Sequence, residues 1–222
     1  MVKPTLLTCS SFSHNFTIHS PINMITSLEQ LDLSQQYSYA DYLAWQFSEK
    51  IELLKGYIRQ MAAPTPYHQE ISGELFNLIK NYLKATKRNC KLYTAPFDVR
   101  LVKNPQGKTD KEIYTVVQPD LCLICDTSKI DQRGCLGSPD FIIEILSPSN
   151  SQTDLQDKFE LYEENGVAEY WLVFPYEKVV QKFLLINEKY QFSGYFTSNN
   201  TISPVTLPDL AIDLREVFGE QT

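Results

Sequence analysis

The 222-residue chain lacks any run approaching the ~20 consecutive apolar residues of a membrane-spanning helix, so no membrane association of that kind is expected. Its opening stretch, "MVKPTLLTCSSFSHNFTIHSPINMITS", has no basic flank leading into an apolar core. No secretory signal is expected there, and residues 1–30 are read as a polar, poorly ordered segment before a single domain over 31–222. Cysteine is sparse and odd in number: Cys9, Cys90, Cys122, Cys125 and Cys135 are irregularly spaced, which argues against a disulfide framework and for a reducing, cytoplasmic setting. The pair in "CLIC" has zinc-knuckle spacing, but it lies in a strand-like run, where positions three apart face opposite sides. With no second Cys or His pair following, Cys122 and Cys125 are expected to be two small buried hydrophobes. There is no block of Lys or Arg, and the net charge is −7, which excludes a broad basic surface for nucleic acid. It does not exclude a site built from carboxylates filled by divalent cations.

What the chain does have is a hydrophobic fraction of 43% without internal repeats or low-complexity tracts. "SYADYLAWQF" reads as a short helix capped by Ser38, and "KIELLKGYIRQMA" as a hairpin turning at Lys55–Gly56. Ile71, Leu75, Leu78, Ile79, Tyr82 and Leu83 fall at helical spacing within a helix from Tyr67 to about Lys84. Three strand-like runs follow: "KLYTAPFDVRLV", "IYTVVQPDLCLIC" and "PDFIIEIL". A helix over Asp154–Asn165 and a buried strand "EYWLVF" come next, then two strands after Pro175 and a short helix near Asp213–Phe218. This order predicts an α/β (α+β) fold, a mixed central sheet flanked by helices.

Within "SPDFIIEILSPSN", Glu144 interrupts a run otherwise suited to a strand buried on both faces. Taking a carboxylate out of water is costly unless a cation, a metal or a proton neutralises it. In the next helix, Leu155, Phe159 and Tyr162 define an inward stripe, and Lys158 falls inside it. That lysine can answer the glutamate, or it can pair with Asp154 or reach solvent. Asp120 lies in the preceding apolar run after Pro119, which marks a strand start or edge; it can also be a turn cap. Two carboxylates converging from adjacent strands repel unless a cation lies between them, and oxygen-only ligands suit Mg²⁺ or Mn²⁺. With a lysine beside them, they form the parts of a metal-dependent phosphodiesterase.

These residues resemble the PD-(D/E)XK nuclease superfamily and, within it, the Uma-type family of restriction-endonuclease-like proteins. The likeness runs from about Tyr42 to Phe218. It rests on "IELLKGYI", "PTPYHQEISGEL", "FDVRL" with Asp98, "QPDLCLI", "DFIIEILSPSNSQTDLQDKFELYEENGVAEYWLV" and "LPDLAIDLREVF". The resemblance implies a restriction-endonuclease-like core with an N-terminal helix–hairpin and C-terminal strand additions. It further implies Mg²⁺ or Mn²⁺ as cofactor, nucleic acid (first of all DNA) as substrate, and a homodimer. The catalytic set is then Asp120, Glu144, Lys158 and His68, with Asp120, Glu144 and Glu52 on the metal. The superfamily's usual lysine, two residues after the glutamate, is Leu146 here. The resemblance implies that the lysine has migrated to the following helix, where periodicity places Lys158. His68 can instead be a helix-end histidine satisfied locally, and Glu52 a solvent-facing strand residue. Two other uses stay open on composition: an inactive nuclease-like fold serving association, in which Glu144 and Lys158 are a structural ion pair, and a hydrolase of smaller phosphodiesters.

Overall fold

A computed structural model describes residues 25–147 and 152–219, except the side chains of 152–154. Of the segment 1–30 expected to be poorly ordered, residues 1–24 lie outside these, as does any pairing of Asp154, while Leu28–Gln30 form a 3-10 turn that buries Leu28. The first half contains α1 (Tyr39–Tyr42), β1 (Ile51–Leu54), β2 (Tyr57–Gln60), α2 (Pro66–Thr86), β3 (Lys91–Thr94) and β4 (Val99–Arg100). Then come β5 (Val116–Val117), β6 (Leu121–Ile124), β7 (Ile130–Asp131), β8 (Gly134–Leu136), β9 (Phe141–Ile145) and α3 (Gln152–Asn165). The chain closes with β10 (Glu169–Phe174), β11 (Val179–Ile186), β12 (Lys189–Thr197), β13 (Thr201–Ile202), β14 (Ile212–Asp213) and α4 (Leu214–Phe218).

A six-stranded mixed sheet, β12-β11-β10-β9-β6-β3, forms the centre. Strands β9 and β10 are parallel, and α3 links them; the other neighbours are antiparallel. One face of this sheet packs Phe141, Ile143, Trp171 and Val173 against α2 and α4. The other packs Cys122, Ile142 and Tyr170 against Leu161 and Tyr162 of α3. Covered on both faces, β9 is buried throughout, as its apolar run predicts.

A second sheet, β2-β1-β5-β4-β8-β7, shares the α3-side core, with Val99, Val117 and Cys135 beside Cys122 and Ile142, and carries its own small core around Leu53, Ile58 and Val116. The sequence shows two of its long runs as continuous strands, and here the structure differs. Residues 91–102 divide between β3 in the central sheet and β4 in the second, and residues 113–125 divide between β5 and β6. The second division falls at Gln118-Pro119-Asp120, where a residue without an N–H ends the ladder.

Local chemistry sets the other boundaries. Ser38 caps α1 and exchanges hydrogen bonds with Asp41 in a capping box. The helix ends at Tyr42, before the expected Phe47, because Trp45 and Phe47 pack into the small core. Lys55 and Gly56, at φ 52° and 89°, make the tight β1–β2 turn, a geometry that glycine adopts without strain. Thr65 accepts from the His68 amide, and Pro66 opens α2.

The cysteine reading is corrected at one pair. Cys90 and Cys125 are joined by a disulfide that ties the start of β3 to the end of β6. Lys91 pairs with Ile124, so the next step along the ladder sets Cys90 opposite Cys125. The sequence does not show this register, and the bond removes the cysteine argument for a reducing compartment. Cys122, on the other face, is free and buried. Among the described residues no helix is long and apolar enough to cross a membrane.

Candidate active site

The switch at Pro119 puts Asp120 at the mouth of β6. Leu121 pairs with Ile143, so one further step sets Asp120 opposite Glu144 on β9, and opposite residues point to one face. That face meets α3. Lys158 Nζ donates to Glu144 Oε1 at 3.0 Å and to Glu52 Oε1 at 3.0 Å, the latter arriving from β1. Tyr162, one helical turn after Lys158, donates its hydroxyl to Glu144 Oε1 at 2.6 Å. Glu52 Oε1 also accepts from the Gln118 amide at 2.7 Å, so Glu52 is buried rather than facing solvent. From the opposite side of the sheet, the first turn of α2 brings His68 Nε2 to 3.1 Å from Asp120 Oδ2. The same oxygen accepts from the Ile145 amide at 2.7 Å.

All five residues named from the sequence therefore line a single cavity of about 180 Å³, together with Lys50, Arg59, Gln118, Leu146 and Tyr170. Behind Gln118 lies a further layer. Its side-chain amide donates to Asp98 Oδ1 at 2.7 Å, and Tyr42 donates to the same oxygen at 3.3 Å. Sequence reasoning gave no role to Tyr162 or Gln118. The spacing of Tyr162 from Lys158 is a signal that could have found it; nothing local marks Gln118, whose part is played largely by its backbone N–H.

The charges shape one another. Burial pushes the Glu144 carboxyl above the usual range; Lys158 pulls it back, and Asp120 and Glu52 add to the push. Burial alone would lower Lys158, but Glu144 and Glu52 outweigh it and hold the ammonium above its ordinary value. For His68, burial is likewise outweighed by the hydrogen bond and charge of Asp120, so its pKa is raised.

The cluster is incomplete. Neither Asp120 Oδ1 nor Glu144 Oε2 receives a hydrogen bond from a described residue. Four buried side-chain polar atoms lack a partner among the described residues, and three of them belong to residues lining this cavity: His68 Nδ1, Gln118 Oε1 and the Tyr170 hydroxyl. Such atoms are rare in folded proteins, so three of them around one cavity set it apart from the rest of the core.

Among the described residues no three His, Cys, Asp or Glu side chains stand close enough to share a metal. The pair Asp120 and Glu144 nevertheless fits Mg²⁺, which binds through one or two carboxylates and otherwise keeps its waters. Glu52 fits less well, because its Oε1 is already engaged by Lys158 and Gln118.

Comparison with known proteins identifies the family and the fold. The profile of a family described as "Uma2: Putative restriction endonuclease" matches residues 39–215. A curated relative, the "Uncharacterized protein slr1290" of Synechocystis, is 29% identical over 135 residues, which span 60% of this chain and 65% of that protein. The match thus spans just under two thirds of that relative's length. A crystal structure described as a putative nuclease belonging to DUF820 from Anabaena variabilis superposes with a TM-score of 0.65 at 21% identity. It covers 82% of this chain and 97% of that one, and shows the same fold. The chain belongs to the Uma2 family, and its fold is restriction-endonuclease-like.

Proposed function

We propose that this member of the Uma2 family is a metal-dependent nuclease that hydrolyses phosphodiester bonds of DNA. What carries the reading is the unfinished state of the buried cluster: a purely structural ion pair would be closed and satisfied, and this one opens into a cavity with Asp120 Oδ1 and Glu144 Oε2 unengaged among the described residues.

The roles follow from the contacts. Asp120 is fixed through Oδ2 by the Ile145 amide and His68, which leaves Oδ1 for a cation. Glu144 is clamped through Oε1 by Tyr162 and Lys158, which leaves Oε2. These two carboxylates would hold a divalent ion, which would lower the pKa of a coordinated water and offset charge on the phosphoryl oxygens. Lys158 carries three N–H donors and spends two on carboxylates, so the third serves an anionic oxygen in the cavity. The lysine of the superfamily pattern has thus moved from the strand to the helix, and Leu146 lines the cavity without charge. Glu52 serves chiefly as the second anchor of Lys158. His68 holds Asp120 Oδ2 in place, and Lys50 at the same cavity offers the substrate's negative backbone a cation despite the acidic chain.

Cutting both strands of a duplex in one encounter takes two such sites. A homodimer formed through the outer edge of β12, where Phe192 and Tyr195 are exposed, supplies them. Calorimetric titration with Mn²⁺ tests the central claim. Wild type should bind it and Glu144→Gln should not; absence of binding, or binding that survives the substitution, rules out the metal site.

A further inference from the structure

A second cavity, of about 220 Å³, adjoins the first, and the two share Gln69, Ala95 and Asp120 in their walls. Its remaining lining is Ser72, Gly73, Phe76 and Thr94, all uncharged. Gln69, Ser72, Gly73 and Phe76 follow the three- and four-residue spacing of one helical face. Four residues beyond, Lys80 holds its ammonium 5.8 Å from the centre of the Phe76 ring. From Gln69 to Lys80 this row extends ~16 Å along the helix, at 1.5 Å per residue.

Gly73 is the informative member. Glycine weakens a helix interior, and α2 is 21 residues long with Gly73 well inside it. No atom lies within 4 Å of where a Cβ would stand, so no neighbour in the protein demands the missing side chain. Its effect is on the cavity, whose wall it keeps low beside Asp120.

We propose that this row is the binding track for a single-stranded segment of nucleic acid leaving the scissile phosphate, an inference that rests on the nuclease reading above. A phosphodiester has two nucleotide arms, and Asp120 is the residue the two cavities have in common. The neutral lining next to that carboxylate suits a sugar and base rather than a phosphate. Phe76, half-buried with its ring beside a cation, stacks on a base, and Lys80 meets the next phosphate. Among the described residues no carboxylate pairs with Lys80.

The test is anisotropy of a fluorescein-labelled single-stranded DNA of about 12 nucleotides, within the span of known single-strand sites, measured in EDTA so that binding is read apart from hydrolysis. Gly73→Trp should raise Kd at least ~10-fold by filling the cavity, an effect of the size of losing one stacked base. Lys80→Gln, a change on the helix surface that tests the track without altering the cavity, should weaken binding several-fold. It should also lower the slope of log affinity against log salt by ~0.7. Melting temperatures of both variants establish that they are folded. Wild type that does not bind the strand, or either folded variant with a Kd within twofold of wild type, overturns the track. Strand binding that responds to both variants in a protein that never cleaves leaves the track standing and removes the hydrolytic reading. Cleavage with binding indifferent to both variants does the reverse.

Discussion

The central sheet buries a Glu–Lys pair on each of its faces, and the two are finished differently. On the α2 side, Glu169 at the start of β10 is 1% exposed and fully engaged. Its Oε1 takes the Trp171 indole N–H at 2.9 Å and stands 3.3 Å from Lys182 Nζ, and its Oε2 takes the amides of Val205 and Thr206. Lys182 also donates to the Ser203 carbonyl at 2.7 Å, so the pair pins the segment before β14 to the sheet. On the α3 side, Glu144 spends one oxygen on Lys158 and Tyr162, and its other oxygen meets no donor among the described residues, in a cavity lined by three residues that each bury a polar atom without a described partner. The difference teaches that burial of an ion pair says little about its role. A buried carboxylate with every acceptor site satisfied is architecture; one left short is prepared for something outside the chain.

The largest expected contrast is in activity. Asp120→Asn or Glu144→Gln should lower the rate of DNA cleavage in Mg²⁺ by at least about 10²–10³-fold, the scale of losing one transition-state contact. Glu169→Gln should leave the rate within a few-fold when measured below its melting temperature. Equal losses at both glutamates would erase the distinction.

In stability the order reverses. Glu169→Ala strands the buried Lys182 and the Trp171, Val205 and Thr206 donors, and should cost about 3–5 kcal/mol, or roughly 10 °C in Tm for a domain of this size. A scanning calorimeter reads this directly, and a shift under about 2 °C would contradict the account of Glu169 as architecture.

Replacing whole pairs sharpens the comparison further. Glu144→Leu with Lys158→Met, made in a Glu52→Gln background so that no buried carboxylate loses its cation, removes the charges and orphans the Tyr162 hydroxyl, so stability should stay within about 2 kcal/mol of that background while cleavage is lost. The matching change, Glu169→Leu with Lys182→Met, leaves the Trp171, Val205 and Thr206 donors without an acceptor and should cost distinctly more. Urea midpoints for the two double variants decide the point, and the same ranking for both pairs would refute it.

The smallest effect lies behind the site, at Asp98. Burial raises its carboxyl above the ordinary value, against the hydrogen bonds of Gln118 and Tyr42. The folded protein therefore holds this proton at pH values where the unfolded chain has released it, and stability contributed by Asp98 falls as pH rises from about 4 through the raised value. Asp98→Asn should flatten that part of the stability profile, read as urea midpoints across mildly acidic pH. An unchanged profile would show the group to be ordinary.

Much of this molecule was legible before any coordinates. The hairpin at Lys55–Gly56, helix α2, the buried run of β9 and the inward place of Lys158 all follow from residue periodicity. Periodicity is a property of local backbone geometry. The two divided strands were not legible, because a run of apolar residues looks the same whether it stays in one sheet or passes between two. Cys90 and Cys125 met for a similar reason: a cross-strand pair depends on register, which no single strand records.

The sequence by itself determined that an acid would be buried in a strand and a base would face it from the next helix, since both facts concern neighbours along the chain. Only the tertiary structure decided that Glu52, 106 residues before Lys158, would hold the same ammonium, and that His68 would reach Asp120 through the sheet end. It alone left Glu144, among the described residues, an oxygen to spare while giving Glu169 none. Those outcomes depend on how separate elements pack and on which donors packing delivers to each carboxylate, and spacing along a chain contains neither.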